Sequence, residues 1–178
     1  RVRVDDGRNY LRMTDRRYDV ITADIIQPIH AGAGNLYSVE YFTAARRVLN
    51  PGGLMMQWVG HREDAHYKLI TRTFLEAFPH TTLWAGGTLL VGSVEPLQIS
   101  REAFRRQRTR AGVAAAFDAV GFETFEALLA RYTAGPDEIR RFIGEGPILT
   151  DDLPLLEFHR SLATDGRHIV AMLGSEGM

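Results

Sequence analysis

Three polar residues stand where an α/β chain would put chemistry: Asp6, Asp24 and Gln57, each at or just past a short apolar run. Asp24 gives the clearest signal. Tyr18-Asp19-Val20-Ile21-Thr22-Ala23 has the β-branched pattern of a strand buried on both faces of a parallel sheet. The run stops at Asp24, and Pro28 prevents its continuation. Open α/β sheets place ligands at the carboxyl ends of their strands, so a carboxylate there can orient an amine and take its proton. Asp6 can accept hydrogen bonds from an adenine amino group or a ribose hydroxyl, and Gln57 offers both donors and an acceptor. Plainer readings compete: Asp6-Gly7 is also an ordinary turn, and Asp24 can simply cap a loop.

A sheet must bring these residues together. Arg1 to Val4 reads as a short strand entering the Asp5-Asp6-Gly7 turn, and Asn9 to Met13 as a helical turn. Ile25 to Tyr37 carries Pro28, Gly32 and Gly34 and reads as a long loop of the kind that is often functional. Ser38 caps a helix running to about Leu49, with Val39, Phe42, Ala45 and Val48 at helical spacing and Asn50-Pro51-Gly52-Gly53 as its stop. Leu54 to Val59 is a second buried strand. A helix from about Glu63 to Phe78 follows, with Tyr67, Ile70, Phe74 and Phe78 on one face. Thr81 to Ala85 and Thr88 to Val94 form a hairpin around Gly86-Gly87. Residues 1–94 therefore predict a mostly parallel α/β sheet ending in an antiparallel hairpin. Right-handed crossovers would bring Asp6, Asp24 and Gln57 to one sheet edge.

Beyond Pro96 the pattern turns helical, over Ser100 to Arg110, Val113 to Val120, Thr124 to Tyr132 and Pro136 to Ile143. Residues 145–160 return to an extended form around Thr150-Asp151-Asp152-Leu153-Pro154, and a last helix is expected over Arg167 to Leu173. Three units result: 1–96 as part of an α/β domain, 97–146 as a helical appendage, and 147–178 as a return segment with a helix.

Composition removes several function classes. The 178 residues carry a net charge of -1, which gives no reason to expect nucleic acid or an anionic membrane as partner. Cysteine is absent, so thiol catalysis, disulfides and Cys-ligated metals are excluded. The six histidines are scattered, and His61 and His66 lie five apart, not the four that stacks ligands on a helix, so no metal site is expected. Asp151-Asp152 before Pro154 reads as a capped turn. No apolar run approaches the roughly 20 residues of a membrane span and no signal peptide is visible, which suggests a cytoplasmic protein. The chain begins with Arg1, directly in a strand pattern, and reads as a piece of something longer.

Taken in order, Asp5-Asp6-Gly7, Tyr18 to Asp24, Pro28, Leu36-Tyr37-Ser38-Val39-Glu40-Tyr41-Phe42 and Leu49-Asn50-Pro51-Gly52-Gly53-Leu54-Met55-Met56-Gln57-Trp58 resemble the second half of the spermidine synthase (polyamine aminopropyltransferase) family. The similarity is greatest to its bacterial spermidine synthase-like branch, often fused to membrane segments that would tether the parent protein. Thr150 to Glu157 resembles a closing motif of that branch. The resemblance implies a partial Rossmann-like, methyltransferase-type fold. It implies decarboxylated S-adenosylmethionine as substrate, with no tightly bound cofactor, and a polyamine as acceptor. Asp6 and Gly7 would then bind the nucleoside, Asp24 would be the catalytic base, and Gln27 and Gln57 would line the amine site.

The departures carry information too. Gln27 stands where typical synthases have a second aspartate, and losing that charge weakens the hold on a cationic diamine. The family's longer aromatic loop is cut to Gly86-Gly87, and its glycine-rich nucleotide loop, ribose-binding carboxylate and N-terminal β-domain have no counterpart in residues 1–178. The chain is thus expected to hold half a site and, alone, to bind nucleoside weakly. Two other readings stay open: an S-adenosylmethionine-dependent methyltransferase on the same fold, and a non-catalytic binding or assembly module. An apolar strand left at a sheet edge further suggests a homo-oligomer.

Overall fold

A computed structural model describes residues 4–24, 32–60 and 64–158. The strand expected over Arg1 to Val4 and the helix expected over Arg167 to Leu173 fall wholly or mostly outside them. Gly7–Met13 forms α1, capped by Asp6, so the helix starts two residues earlier than the pattern predicts. Tyr18–Ala23 is β1, Val39–Arg47 is α2 with Ser38 as N-cap, and Leu49–Trp58 is β2. Asp64–Ala77 is α3, and Thr82–Trp84 and Leu89–Gly92 are the hairpin strands β3 and β4. Between the hairpin strands, Gly86 and Gly87 have φ of 64° and 88°, the left-handed backbone that glycine adopts without a Cβ penalty.

β1 pairs parallel to β2, with Ala23 opposite Gln57. The rest of the sheet is antiparallel, in the order β1-β2-β4-β3-β5, where β5 is Tyr132–Ala134. The expected parallel start is thus the β1–β2 pair, and the sheet as a whole is mixed. β5 itself corrects the helix expected over Thr124 to Tyr132. The helix there, α6 (Phe125–Leu129), stops short because the next aromatic and β-branched residues pair with β3, and Tyr132 meets Trp84 edge-on with ring centroids 5.4 Å apart.

A second correction concerns β1. Ala23 is buried and Ile21 half-buried, but Val20 is 49% exposed and Thr22 is exposed as well. The strand is covered on one face only, and among the described residues it lies at the sheet's edge. The covered face carries Met55 of β2 and packs on Phe42, Ile70 and Phe74 of α2 and α3. Gly92, opposite Met55, lets α3 approach: a Cβ there would lie 2.5 Å from Phe74 and 2.6 Å from Phe78.

Three short helices follow the hairpin, α4 (Arg101–Arg108), α5 (Val113–Ala119) and then α6 (Phe125–Leu129). They gather around Phe104, whose ring lies 5.5 Å from Phe117 and 5.8 Å from Phe125. α7 (Pro136–Ile143) instead sends Ile139 and Ile143 into the main core, where Leu149 and Leu156 join them. The extended form expected for 145–160 gives way at Leu155–Phe158 to one helical turn, α8.

Candidate functional site

The β1–β2 register sets Ala23 opposite Gln57, so Asp24 lies one residue past that pair at the carboxyl ends of two parallel strands. Asp24 is exposed, free to meet a ligand. Gln57 is fully buried. Its Nε2 donates to the Trp58 carbonyl at 3.0 Å and to the Ala23 carbonyl at 3.4 Å, whereas its Oε1 is buried with no partner among the described residues. An unpaired buried acceptor costs about 1–3 kcal/mol, so a native side chain that keeps one invites a donor.

Asp6 serves α1 as its cap, Oδ1 accepting from the N–H groups of Arg8 at 2.9 Å and Asn9 at 3.0 Å. Among the described residues its Oδ2 takes only a long contact from Asn9 Nδ2 at 3.4 Å. The turn reading and the ligand reading are therefore compatible, because capping occupies one oxygen. Asp6, Gly7 and Asn9 form one wall of a cleft of about 630 Å³ whose other walls include Gly32, Asn35, Leu36 and Asp151. A Cβ at Gly7 would meet nothing within 4 Å, leaving the backbone open to close approach. Asp24 and Gln57 do not line this cleft. Gln27 lies outside the described residues. Among the described residues no group of three or more His, Asp or Glu could hold a metal ion, and no helix is long and apolar enough to cross a membrane.

Sequence reasoning missed what holds the cleft together. Arg8 donates through Nη2 to Asp151 and through Nη1 to the Asn35 carbonyl at 2.8 Å. The other Asp151 oxygen accepts from Ser38 Oγ at 2.7 Å, and the Asp151 N–H donates to Glu40 at 3.0 Å. Burial alone would raise the Asp151 carboxyl, but the hydrogen bonds from Arg8 and Ser38 and the Arg8 charge outweigh it and hold it below its ordinary value. Six residues on, Glu157 Oε1 accepts from the N–H groups of Gly32 and Gly34, both at 3.0 Å. Thr150 to Glu157 is thus more than a capped turn: it ties α1, α2 and the loop at 32–36 into one wall. The motif's resemblance marked the segment, but no local pattern reveals a pair 143 positions apart.

These features define an α/β protein with acidic residues at the strand ends and the helix start. Residues 1–76 match the spermine/spermidine synthase domain, so the family resemblance carried by the motifs is shown. The polyamine aminopropyltransferase of Aeropyrum pernix is 34% identical over 82 residues, which cover 43% of this chain and 26% of that protein. That of Escherichia coli O1:K1 / APEC is 32% identical over 76 residues, covering 36% and 26%. The crystal structure of a probable spermidine synthase from Corynebacterium glutamicum superposes with a TM-score of 0.56 at 23% identity, over 84% of this chain and 53% of that one. The last likeness shows the fold. The chain spans about a quarter of the curated relatives it matches.

Proposed function

We propose that the chain is the part of a polyamine aminopropyltransferase that carries the base and the amine site. One observation carries the reading: exposed Asp24 directly follows Ala23, the register partner of buried Gln57, whose Oε1 lacks a partner among the described residues. The matching relatives, named polyamine aminopropyltransferases, support it. The acceptor amine would donate to Gln57 Oε1 and give a proton to Asp24. Its lone pair attacks the carbon next to the sulfonium of decarboxylated S-adenosylmethionine. The C–S bond breaks, its electron pair stays on sulfur, and 5′-methylthioadenosine leaves as a neutral thioether. The positive leaving group needs no acid, so positioning supplies much of the acceleration. Asp6 and Gly7 would hold the nucleoside in the cleft, and Gln27 in place of an acid would favour an acceptor less charged than a diamine.

The reading extends to a homo-oligomer, supported by the edge position of β1. A cytoplasmic location is also proposed. The function is tested by incubating the full protein containing these residues with decarboxylated S-adenosylmethionine and a panel of mono- and polyamines. Formation of 5′-methylthioadenosine that depends on amine is expected. Methyl transfer from S-adenosylmethionine, or no turnover with any amine, overturns the reading.

A further inference from the structure

Residues 32–34 form a small anion-binding concavity that the chain fills with one of its own carboxylates. Gly32 is left-handed, with φ of 84°, and Ala33 is right-handed, with φ of -77° and ψ of -24°. Consecutive residues of opposite hand turn their N–H groups to one side, the geometry that grips anions in many proteins. Here the N–H groups of Gly32 and Gly34 converge on one atom, Glu157 Oε1, each at 3.0 Å. The fit is close. A Cβ on Gly34 would stand 2.7 Å from that oxygen and 3.3 Å from the carboxyl carbon, so a side chain there would push the Glu157 carboxylate from its seat.

The neighbours of this concavity give it a role. Gly32, Asn35 and Leu36 line the cleft that Asp6 and Gly7 open, and the turn Gly34–Leu36 follows directly from the gripped residues. Asn35 is held from the other side by Arg8, through its carbonyl. The wall facing Asp6 therefore takes its position from two acidic residues of the closing segment: Asp151 through Arg8, and Glu157 through two backbone N–H groups.

We infer that Glu157 is a positioning residue for the nucleoside cleft, its carboxylate seated between Gly32 and Gly34 setting the wall that faces Asp6. This rests on the nucleoside reading of that cleft. Glu157 touches no substrate; it acts through the loop. A carboxylate lodged in a backbone concavity is also replaceable by a free one, which a residue that merely packs is not.

The test uses the full chain and 5′-methylthioadenosine, titrated by ligand-observed NMR, which reads millimolar affinities. Glu157→Ala is expected to weaken binding at least about tenfold, and tens of millimolar formate should restore most of the loss. Gly34→Ala should weaken binding equally without rescue, because its methyl occupies the carboxylate's place. Unchanged affinity in Glu157→Ala, or a loss that formate does not recover, overturns the inference. Should Glu157→Ala not fold, Glu157→Gln decides: it keeps an acceptor without the charge, so a several-fold loss is expected and wild-type affinity overturns the role. Hydrogen exchange at the Gly34 amide separates this from the reading beneath it. If the unaltered chain binds no nucleoside, the cleft assignment falls and the positioning role with it. Fast exchange in Glu157→Ala that formate slows would then show the anion grip alone.

Discussion

Gln57 and Ala23 face each other across the parallel β1–β2 pair, and the glutamine amide donates to the alanine carbonyl at 3.4 Å while its own carbonyl stays buried and unpaired among the described residues. This arrangement is poor for stability, and on the proposed reading the unpaired oxygen is the acceptor for an amine. Gln57→Met, close in volume, removes the unpaired acceptor together with two donor contacts. We expect a stability within about 1 kcal/mol of the parent, on either side. In the full protein the KM for the amine should rise about tenfold or more. Urea denaturation and amine titration read the two effects. A large loss of stability with unchanged KM would make Gln57 a structural residue.

Asp24→Asn should leave the fold intact, because the side chain is exposed at the end of β1. Asparagine is nearly isosteric but takes no proton. Losing a general base costs about 100- to 10,000-fold, so turnover in the full protein should fall within that range. Near-normal turnover would discard Asp24 as the base.

Much of this was legible in the sequence, for physical reasons that differ by element. Ser38 announced α2 because capping is local, and Tyr67, Ile70 and Phe74 announced α3 because one helix face repeats every 3.6 residues. Gly86-Gly87 marked the hairpin through backbone geometry alone. β5 was invisible, since Tyr132–Ala134 is a strand only through its pairing with β3. The exposure of Val20 was misread for a related reason: a β-branched run tells that a strand exists, not how many of its faces are covered. Within the site, Asp24 and Gln57 could be read from strand ends. Asp151 and Glu157 could not, because their partners Arg8, Gly32 and Gly34 lie more than a hundred positions away.

The Arg8–Asp151 link makes part of the stability acid-sensitive. Asp151 titrates below its ordinary 3.8 in the folded chain, so the unfolded chain binds more protons between the two values. Its contribution is complete above about pH 4 and is lost as pH falls through the lower folded value. Asp151 is about a third exposed, so the effect is modest: Asp151→Asn should cost on the order of 1 kcal/mol at neutral pH. The gap between parent and variant in urea midpoint should close below pH 4. A gap that persists at low pH would deny the charge a role.

Gly92→Ala tests the packing that positions the site. The added methyl would meet Phe74 and Phe78 at contact distances no real Cβ shows, and both rings belong to the core. Overpacking of this kind costs about 1–3 kcal/mol. Thermal melting should show a clear drop, and no drop would mean that α3 sits less closely on β4.

The edge of the sheet yields the last expectation. β1 pairs with β2 on one side only, so its outer N–H and C=O groups find no strand among the described residues. Val20 is 49% exposed on the uncovered face, and Trp58 of the neighbouring strand is 41% exposed. An open edge beside exposed apolar side chains is a template for pairing with another chain. A second copy pairing across β1 satisfies both needs, so light scattering at micromolar concentration should report a homodimer or larger assembly. Val20→Lys, placing a charge at that edge, should shift it toward monomer without unfolding it. A monomer whose β1 amides are nonetheless protected in hydrogen exchange would show the edge closed from within the chain, and the assembly would be discarded.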